Sequence, residues 1–435
     1  EIIFGTTASK GRLPVSINQN FNINEGVDTK LVKILGFDSP ENQGMDGDNL
    51  NKIDSIVKMA IEQKMTPGAQ IVIARRGKII YQKSFGNHTY TDSLPVVNDD
   101  LYDVASLTKI LATLPSIMQL YDKGEVTLDT RLGDMLPVFK NTNKENATLL
   151  DMLTHQAQFI PWIPFYQSTL DANKKPDTKY YRNYPSAKFP IKVAENLYLR
   201  KDYNDTLIDR IAKSDLLSSK KYKYSDFSFI LLKEYLELKT NKKLDVLANE
   251  KFYSVMGMNH TTYKPLEKFP LNQIIPTEED MYYRYQTVQG NVHDMAAAMQ
   301  GGVSGHAGLF SNALDVAKMM QMYLQNGIYG NNRFFSEKTM NAFNTCYFCD
   351  EDNRRGVGFD KPQLGTSGPT CGCLSMTSFG HTGFTGTMAW ADPEKEIVYV
   401  FLSNRTYPDS NAANRLSRAN IRENIQQVIY ESIKD

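Results

Sequence analysis

Apolar positions between Asn49 and Met65 (Leu50, Ile53, Ile56, Val57, Ala60, Ile61) recur at the i, i+3, i+4, i+7 spacing with which a helix buries one face, and Pro67-Gly68 ends the run. Two β-rich stretches follow, AQIVIARR and KIIYQKSFG, meeting at Arg76-Gly77, where Gly supplies the positive φ of a hairpin turn. That is sheet laid on the preceding helix. From about 107 to 289 amphipathic patterns broken by Pro, Gly and Asn predict a mainly helical region with few strands. Sheet returns with GTMAWAD and IVYVFLSN around the turn Asp392-Pro393-Glu394-Lys395, and a polar amphipathic helix from about Asn414 to Ile433 closes the chain. The pattern predicts an α+β fold, its sheet core drawn from about 46–106 and 290–435 with the helical region inserted between. Ahead of it, EIIFGTTASKGRLPVSI reads as a helix end, a Gly-containing turn and a short strand, and residues 18–47, rich in Asn, Asp and Gly, read as tail and linker.

Ser106 and Lys109 stand at the start of the inserted region in ASLTK. If Ser106 opens a helix, both side chains share one face. Leu107, Ile110, Leu111, Leu114, Ile117, Met118 and Tyr121 would then form an apolar stripe opposite a polar one of Ser106, Lys109, Thr113 and Ser116. Burial lowers the pKa of a lysine, so it can act as a base toward a neighbouring hydroxyl, and helix-start N–H groups favour a developing oxyanion. The pattern alone says little, because Ser218 and Lys221 repeat it in a Lys-rich stretch that reads as a solvated turn. Pro115, inside the proposed helix, removes the hydrogen bond to Leu111 and predicts a kink.

Two further strings sharpen the reading: KYSDFSFILL sets Tyr224 and Asp226 before an apolar helical run, and FGHTGFTGT sets His381, Thr382 and Gly383 beside a hairpin. With LYDVASLTK, LLDMLTH and GGVSGHAGLFS in the same order, they resemble the penicillin-recognising serine hydrolases: class C β-lactamases, DD-peptidases and related esterases. The resemblance spans about 45–435 and implies a class C β-lactamase-like fold, an antiparallel sheet flanked by helices, and chemistry through an acyl-enzyme without a cofactor or metal. It implies that Ser106 is the nucleophile, Lys109 its proton acceptor and Tyr224 the proton shuttle to the leaving group. The N–H groups of Ser106 and Phe384 would form the oxyanion hole, with Thr382 and Gly383 along the substrate's backbone.

Two positions depart from the family pattern. Asp226 replaces an Asn, and a carboxylate cannot donate a hydrogen bond to a substrate carbonyl. His381 replaces a Lys and, largely neutral above about pH 6.5, is a weaker carboxylate anchor; a plain structural hydrogen bond to a neighbouring loop is also open to it. Both changes argue against an efficient β-lactamase and toward an esterase, amidase or peptidase on a small-molecule or peptide substrate, cell-wall material included. The alternatives are a penicillin-binding DD-peptidase, or a slow or inactive module that binds peptide or wall fragments. His155, His293 and His306 read as structural, His306 being the one placed to border the pocket through its Gly-rich turn.

Charge and composition narrow the partners. Among 435 residues, 49 Lys and Arg balance 49 Asp and Glu, so no net field draws a polyanion and nucleic acid is not expected as a partner. No apolar run approaches the ~18 residues of a membrane span, and an opening at Glu1 without Met or signal segment suggests a processed or excised piece. Residues 2–17 resemble the closing segment of the C-terminal domain in family 3 glycoside hydrolases, some of which carry a β-lactamase-like domain behind them. That implies an upstream glycosidase domain in the same parent chain, with residues 1–45 as its tail and linker, and a periplasmic or otherwise extracytoplasmic setting. Cys346, Cys349, Cys371 and Cys373 form an even cluster that fits structural disulfides in such a setting, or a zinc tetrahedron.

Overall fold

A computed structural model describes the chain except residues 1–4, 6–7, 364–367, 411–413 and 435, so the helix end and part of the turn expected at the N-terminus lie outside the described residues. Its centre is a six-stranded sheet in the order Gly36–Phe37, Lys78–Gly86, Gly68–Arg75, Ile397–Ser403, Met388–Asp392, Phe379–Thr382. All pairings are antiparallel except that of Gly36–Phe37, which runs parallel to Lys78–Ile79. That strand lies within the stretch read from sequence as linker; Asn- and Gly-rich flanks hide a two-residue strand whose hydrogen bonds are all backbone.

The central strands Gly68–Arg75 and Ile397–Ser403 are buried throughout because both faces of the sheet are covered. Ile71, Ile73, Tyr399 and Phe401 point into one core with the helices Lys52–Glu62 and Ile421–Glu431, while Val72, Ala74, Val398 and Val400 alternate into a second core beneath the helix Ala313–Leu324. The hairpin at Arg76-Gly77 forms as expected, both residues taking positive φ (52° and 74°). The closing helix is two: Asn414–Arg418 and Ile421–Glu431, separated where Asn420 turns left-handed. Residues 107–289 hold more strand than periodicity showed: a sheet of Tyr181–Arg182, Leu197–Leu199 and Ile191–Ala194, and the ribbon Glu278–Asp280 with Gln286–Val288. Elements of two to four residues are too short for an alternation to register.

The four cysteines pair locally, Cys346 with Cys349 and Cys371 with Cys373. Each disulfide closes its own small loop on the approach to the Phe379–Thr382 strand. Among the described residues no cluster of His, Cys, Asp and Glu could hold a metal ion, and no helix is long and apolar enough to cross a membrane.

Candidate active site

Ser106 does not open an α-helix. It sits in a single 3₁₀ turn, Ala105–Leu107, followed by a π-helical turn, Lys109–Thr113, and only then by the α-helix Leu114–Asp122. The wide turn absorbs the break that Pro115 imposes, and the proline lands in the first turn of the α-helix, where its missing N–H is tolerated. Nor is the polar stripe a solvent face: Lys109, Thr113 and Ser116 are all buried, Thr113 donating to the Gly305 carbonyl (2.8 Å) and Ser116 to that of Ala112 (2.8 Å). Ala105 adopts φ 47°, held by the Asp103 carboxylate on its N–H at 2.9 Å, a sharp elbow that presents Ser106 at the top of the turn.

Three segments converge on that elbow. Lys109 Nζ donates to Ser106 Oγ (2.9 Å) and to the His306 carbonyl (3.1 Å), and pairs with Asp226 Oδ1 (2.7 Å). Tyr224 Oη stands 3.3 Å from Ser106 Oγ. Tyr224 and Asp226 lie just before the helix Phe227–Thr240; His306 is delivered by the Gly-rich loop, which crosses that helix so closely that a Cβ on Gly305 would meet the Phe229 carbonyl at 2.0 Å. On the third side a Cβ on Gly383 would meet Thr387 Oγ1 at 2.0 Å and the Val104 carbonyl at 2.7 Å, so glycine lets the final hairpin close on the elbow. Thr385 and Thr387 fasten it there by donating to the carbonyls of Asp103 (2.8 Å) and Val104 (3.0 Å).

The electrostatics revise one expectation. Burial acts to lower the Lys109 pKa, but Asp226 and Tyr224 outweigh it and the net shift is upward. Lys109 is therefore favoured as the ammonium, donating to Ser106 and His306 and lying 2.7 Å from the Asp226 carboxylate, and not as the neutral amine that burial alone suggested. Burial, then Arg355 and Lys109, hold the His381 pKa well below the ordinary imidazole value. Its Nδ1 is 2.7 Å from the Thr382 carbonyl, which only accepts, so Nδ1 carries the proton. Thr382 ends the edge strand and Phe384 is exposed, its ring stacked on His293 at 5.6 Å and its carbonyl accepting from Arg405 Nε (2.9 Å).

Two residues beside Tyr224 were given no part in the site from the sequence. The ring of His155, read as merely structural, packs 4.5 Å from that of Tyr224, and its Nδ1 accepts from the Ser225 N–H at 3.3 Å. Arg355, buried, lies 5.3 Å from the Tyr224 ring and pairs with Asp360 at 3.2 Å. The ending of LLDMLTH was a signal for the first; nothing in local pattern marked Arg355. Ser218 and Lys221, the duplicate motif, are exposed and far from this chemistry in kind, a solvated turn as expected. Beside Asp226 a cavity opens, lined among others by Trp162, Tyr166, Phe227, Asp294, Met295 and His306. His306 thus borders it, hydrogen-bonded through Nε2 to Asp294 (2.9 Å).

Known proteins resemble this chain in sequence and in fold. "Putative D-alanyl-D-alanine carboxypeptidase" of Escherichia coli (strain K12) is 30% identical over 421 residues, 90% of each chain. Among solved structures, "EstCE1, a hydrolase with promiscuous acyltransferase activity" superposes with TM-score 0.64 at 16% identity, over 88% of this chain and 99% of its own. D-alanine carboxypeptidase AmpC from Burkholderia cenocepacia does so with TM-score 0.61 at 16% identity, over 89% and 100%. At such identity these two establish the fold alone. The profile described as Beta-lactamase matches residues 53–422, most of the chain, and with the shared fold and the serine elbow it shows that this protein belongs to the beta-lactamase family of serine hydrolases.

Proposed function

We propose that the protein hydrolyses an ester or amide through an acyl-enzyme on Ser106, the observation that carries this being the convergence of Lys109 and Tyr224 on one hydroxyl oxygen at 2.9 and 3.3 Å. Ser106 Oγ attacks the acyl carbon, and the N–H groups of Ser106 and Phe384 receive the resulting oxyanion. The serine proton passes to Tyr224 Oη as the tyrosine's own proton goes to the leaving atom, whose bond to the acyl carbon then breaks. Water repeats the sequence in reverse and frees the acid. Lys109, as an ammonium, stabilises charge developing on Oγ in place of the proton-accepting role the family resemblance suggested. Thr382 and Gly383 line the edge along which an extended substrate lies, and the cavity beside Asp226 takes the acyl side chain.

The curated relative carries the name of a peptidase on D-alanyl-D-alanine ends, which supports a wall-derived peptide as substrate. That setting, together with the likeness of residues 2–17 to a glycosidase's closing segment, supports a periplasmic protein whose parent chain carries a glycoside hydrolase domain upstream. The test is intact mass after brief exposure to p-nitrophenyl acetate and, separately, to benzylpenicillin, with Ser106→Ala alongside. A mass increment present in the parent and absent from the variant is expected. Labelling that survives in Ser106→Ala, or no adduct and no turnover above the variant with either reagent, overturns the reading. The reagent that leaves the longer-lived adduct separates esterase from penicillin-binding character.

A further inference from the structure

Around Tyr224 the structure stacks more positive charge than the three motifs account for. Lys109 Nζ lies 5.1 Å from the centroid of its ring and the Arg355 guanidinium 5.3 Å. The first charge is answered by Asp226 at 2.7 Å. The second is answered only in part, because Arg354 and Arg355 share the single carboxylate of Asp360. Arg355 is 2% exposed, and its Nε and Nη1 find no hydrogen-bond partner among the described residues. Burying a guanidinium in that condition is unfavourable, so a fold that keeps one there has a use for it or a compensation elsewhere. Packing supplies some compensation, since the guanidinium also lies 5.9 Å from the Tyr222 ring.

Two imidazoles complete the surroundings of Tyr224. His155 packs on its ring at 4.5 Å and His381 lies 6.1 Å away, its Nδ1 proton committed to the Thr382 carbonyl and its buried Nε2 without a partner. The cations that face them are Arg355, Lys109 and, toward His381, Arg354, and the carboxylates of the cluster are already paired, Asp226 with Lys109 and Asp360 with Arg354 and Arg355. A proton added to either ring would set a third cation against Tyr224 and hinder it from taking the serine proton.

We propose that Arg355, which belongs to none of the three motifs, is a positioning residue for proton transfer at Ser106: its buried guanidinium, 5.3 Å from the Tyr224 ring, braces that ring and sets a fixed cation in the cluster that His155 and His381 complete. The inference rests on the proton-shuttle role given to Tyr224 above. It accounts for burial acting together with Arg355, the first charged group in effect, in holding both histidines well below the ordinary imidazole range.

The experiment measures the rate of Ser106 acylation by p-nitrophenyl acetate from pH 4.5 to 9 in the full chain and in Arg355→Met and Arg355→Lys, with imidazole nitrogen resonances of the same proteins followed by NMR. In Arg355→Met a loss of tenfold or more is expected on the acid side, as a new limb below about pH 6.5 where a released imidazole gains its proton. The His381 or His155 nitrogens should titrate along that limb, which should vanish in Arg355→Met/His381→Gln if His381 is its source. Arg355→Lys should restore the parent profile. A uniform loss at every pH without imidazole titration and without rescue by lysine assigns Arg355 a structural role and overturns the proposal, as does a parent-like profile in Arg355→Met. Should Arg355→Met fail to fold, as melting would show, the lysine variant and the parent's own imidazole resonances decide: histidines that titrate near pH 6.5 in the parent overturn it. Tyr224→Phe separates the two readings, since undiminished acylation there removes the shuttle while the NMR titration still reports on Arg355.

Discussion

The carboxylate at position 226 acts above all on one atom: Lys109 Nζ. Asp226 at 2.7 Å, with Tyr224, reverses the downward pull of burial and leaves the lysine protonated. Asp226→Asn removes the counter-charge, after which burial acts on Lys109 with less opposition. The expected result is faster acylation by benzylpenicillin at neutral pH, because an amide at 226 can donate to the substrate carbonyl, with a rate that falls as the lysine proton is lost and does so from a lower pH than in the parent. Acylation unchanged or slowed, measured by quench and intact mass, counts against it. The stability consequence has a definite sign. A lysine whose folded pKa is raised contributes stability below its unfolded value of about 10.4, lost as pH rises through the folded value. Asp226→Asn should therefore lower stability at pH 7, by at most about 3 kcal/mol because the buried amine escapes the full penalty by releasing its proton. Equal denaturant midpoints at pH 7 would show the ion pair to be neutral in effect.

The hairpin that ends in Phe379–Thr382 and the elbow at Ser106 act as one element because Gly383 permits contact between them. A methyl at 383 would sit 2.0 Å from Thr387 Oγ1 and 2.7 Å from the Val104 carbonyl, and the carbonyl cannot move without the elbow. Gly383→Ala should cost about 1–3 kcal/mol by overpacking and slow acylation well beyond what that loss of stability implies, because the displaced strand carries the Phe384 N–H. Chemical denaturation together with single-turnover kinetics checks both, and a destabilised variant with parent-like acylation would detach the strand from the chemistry. Elements of this kind also mark how far the sequence could be read. The outer helix at 52–62 and the strands at 68–75 and 397–403 were legible because their apolar periods extend over many residues. Ser106, Lys109, Tyr224 and His381 were legible because short motifs hold their order. The π turn after Lys109, the two-residue strand at Gly36 and the carbonyl that His306 lends to Lys109 were not, since backbone conformation and backbone acceptors leave no residue-type signature. Arg355 was invisible for another reason: Tyr224 is distant from it in sequence, and only the fold brings the two together.

At the scale of the whole molecule, the inserted region and the sheet are joined at a buried carboxylate. Glu278 accepts from His293 Nε2 (2.8 Å), Tyr282 Oη (2.9 Å) and the Ser410 N–H (3.1 Å), while the His293 N–H donates to Asp103 Oδ2 (2.7 Å), the same side chain that shapes the Ala105 turn. Neighbouring bonds run in parallel, from Thr406 Oγ1 to the Thr277 carbonyl (2.7 Å) and from the Glu279 N–H to that of Pro408 (2.8 Å). Burial alone would raise the Glu278 pKa, but the hydrogen bonds and charge of His293, with Ser410 and Tyr282, bring it down to about 2. A carboxyl depressed in the folded state contributes stability that is present above its unfolded value of about 4.3 and lost as pH falls through the folded value; a shift of this size corresponds to at most about 3 kcal/mol. The protein should accordingly lose stability between about pH 4.3 and 2, and Glu278→Gln should lower stability at neutral pH while flattening that acid dependence. Because His293 also carries the ring on which Phe384 stacks, at 5.6 Å, the same substitution should loosen the oxyanion side of the site before global unfolding. Ester turnover in Glu278→Gln is then expected to fall at temperatures where circular dichroism still reports a folded chain. If turnover and fold are instead lost together, and if the acid dependence of the variant matches that of the parent, the joint at Glu278 carries neither the acid sensitivity nor the coupling between the two halves of the molecule.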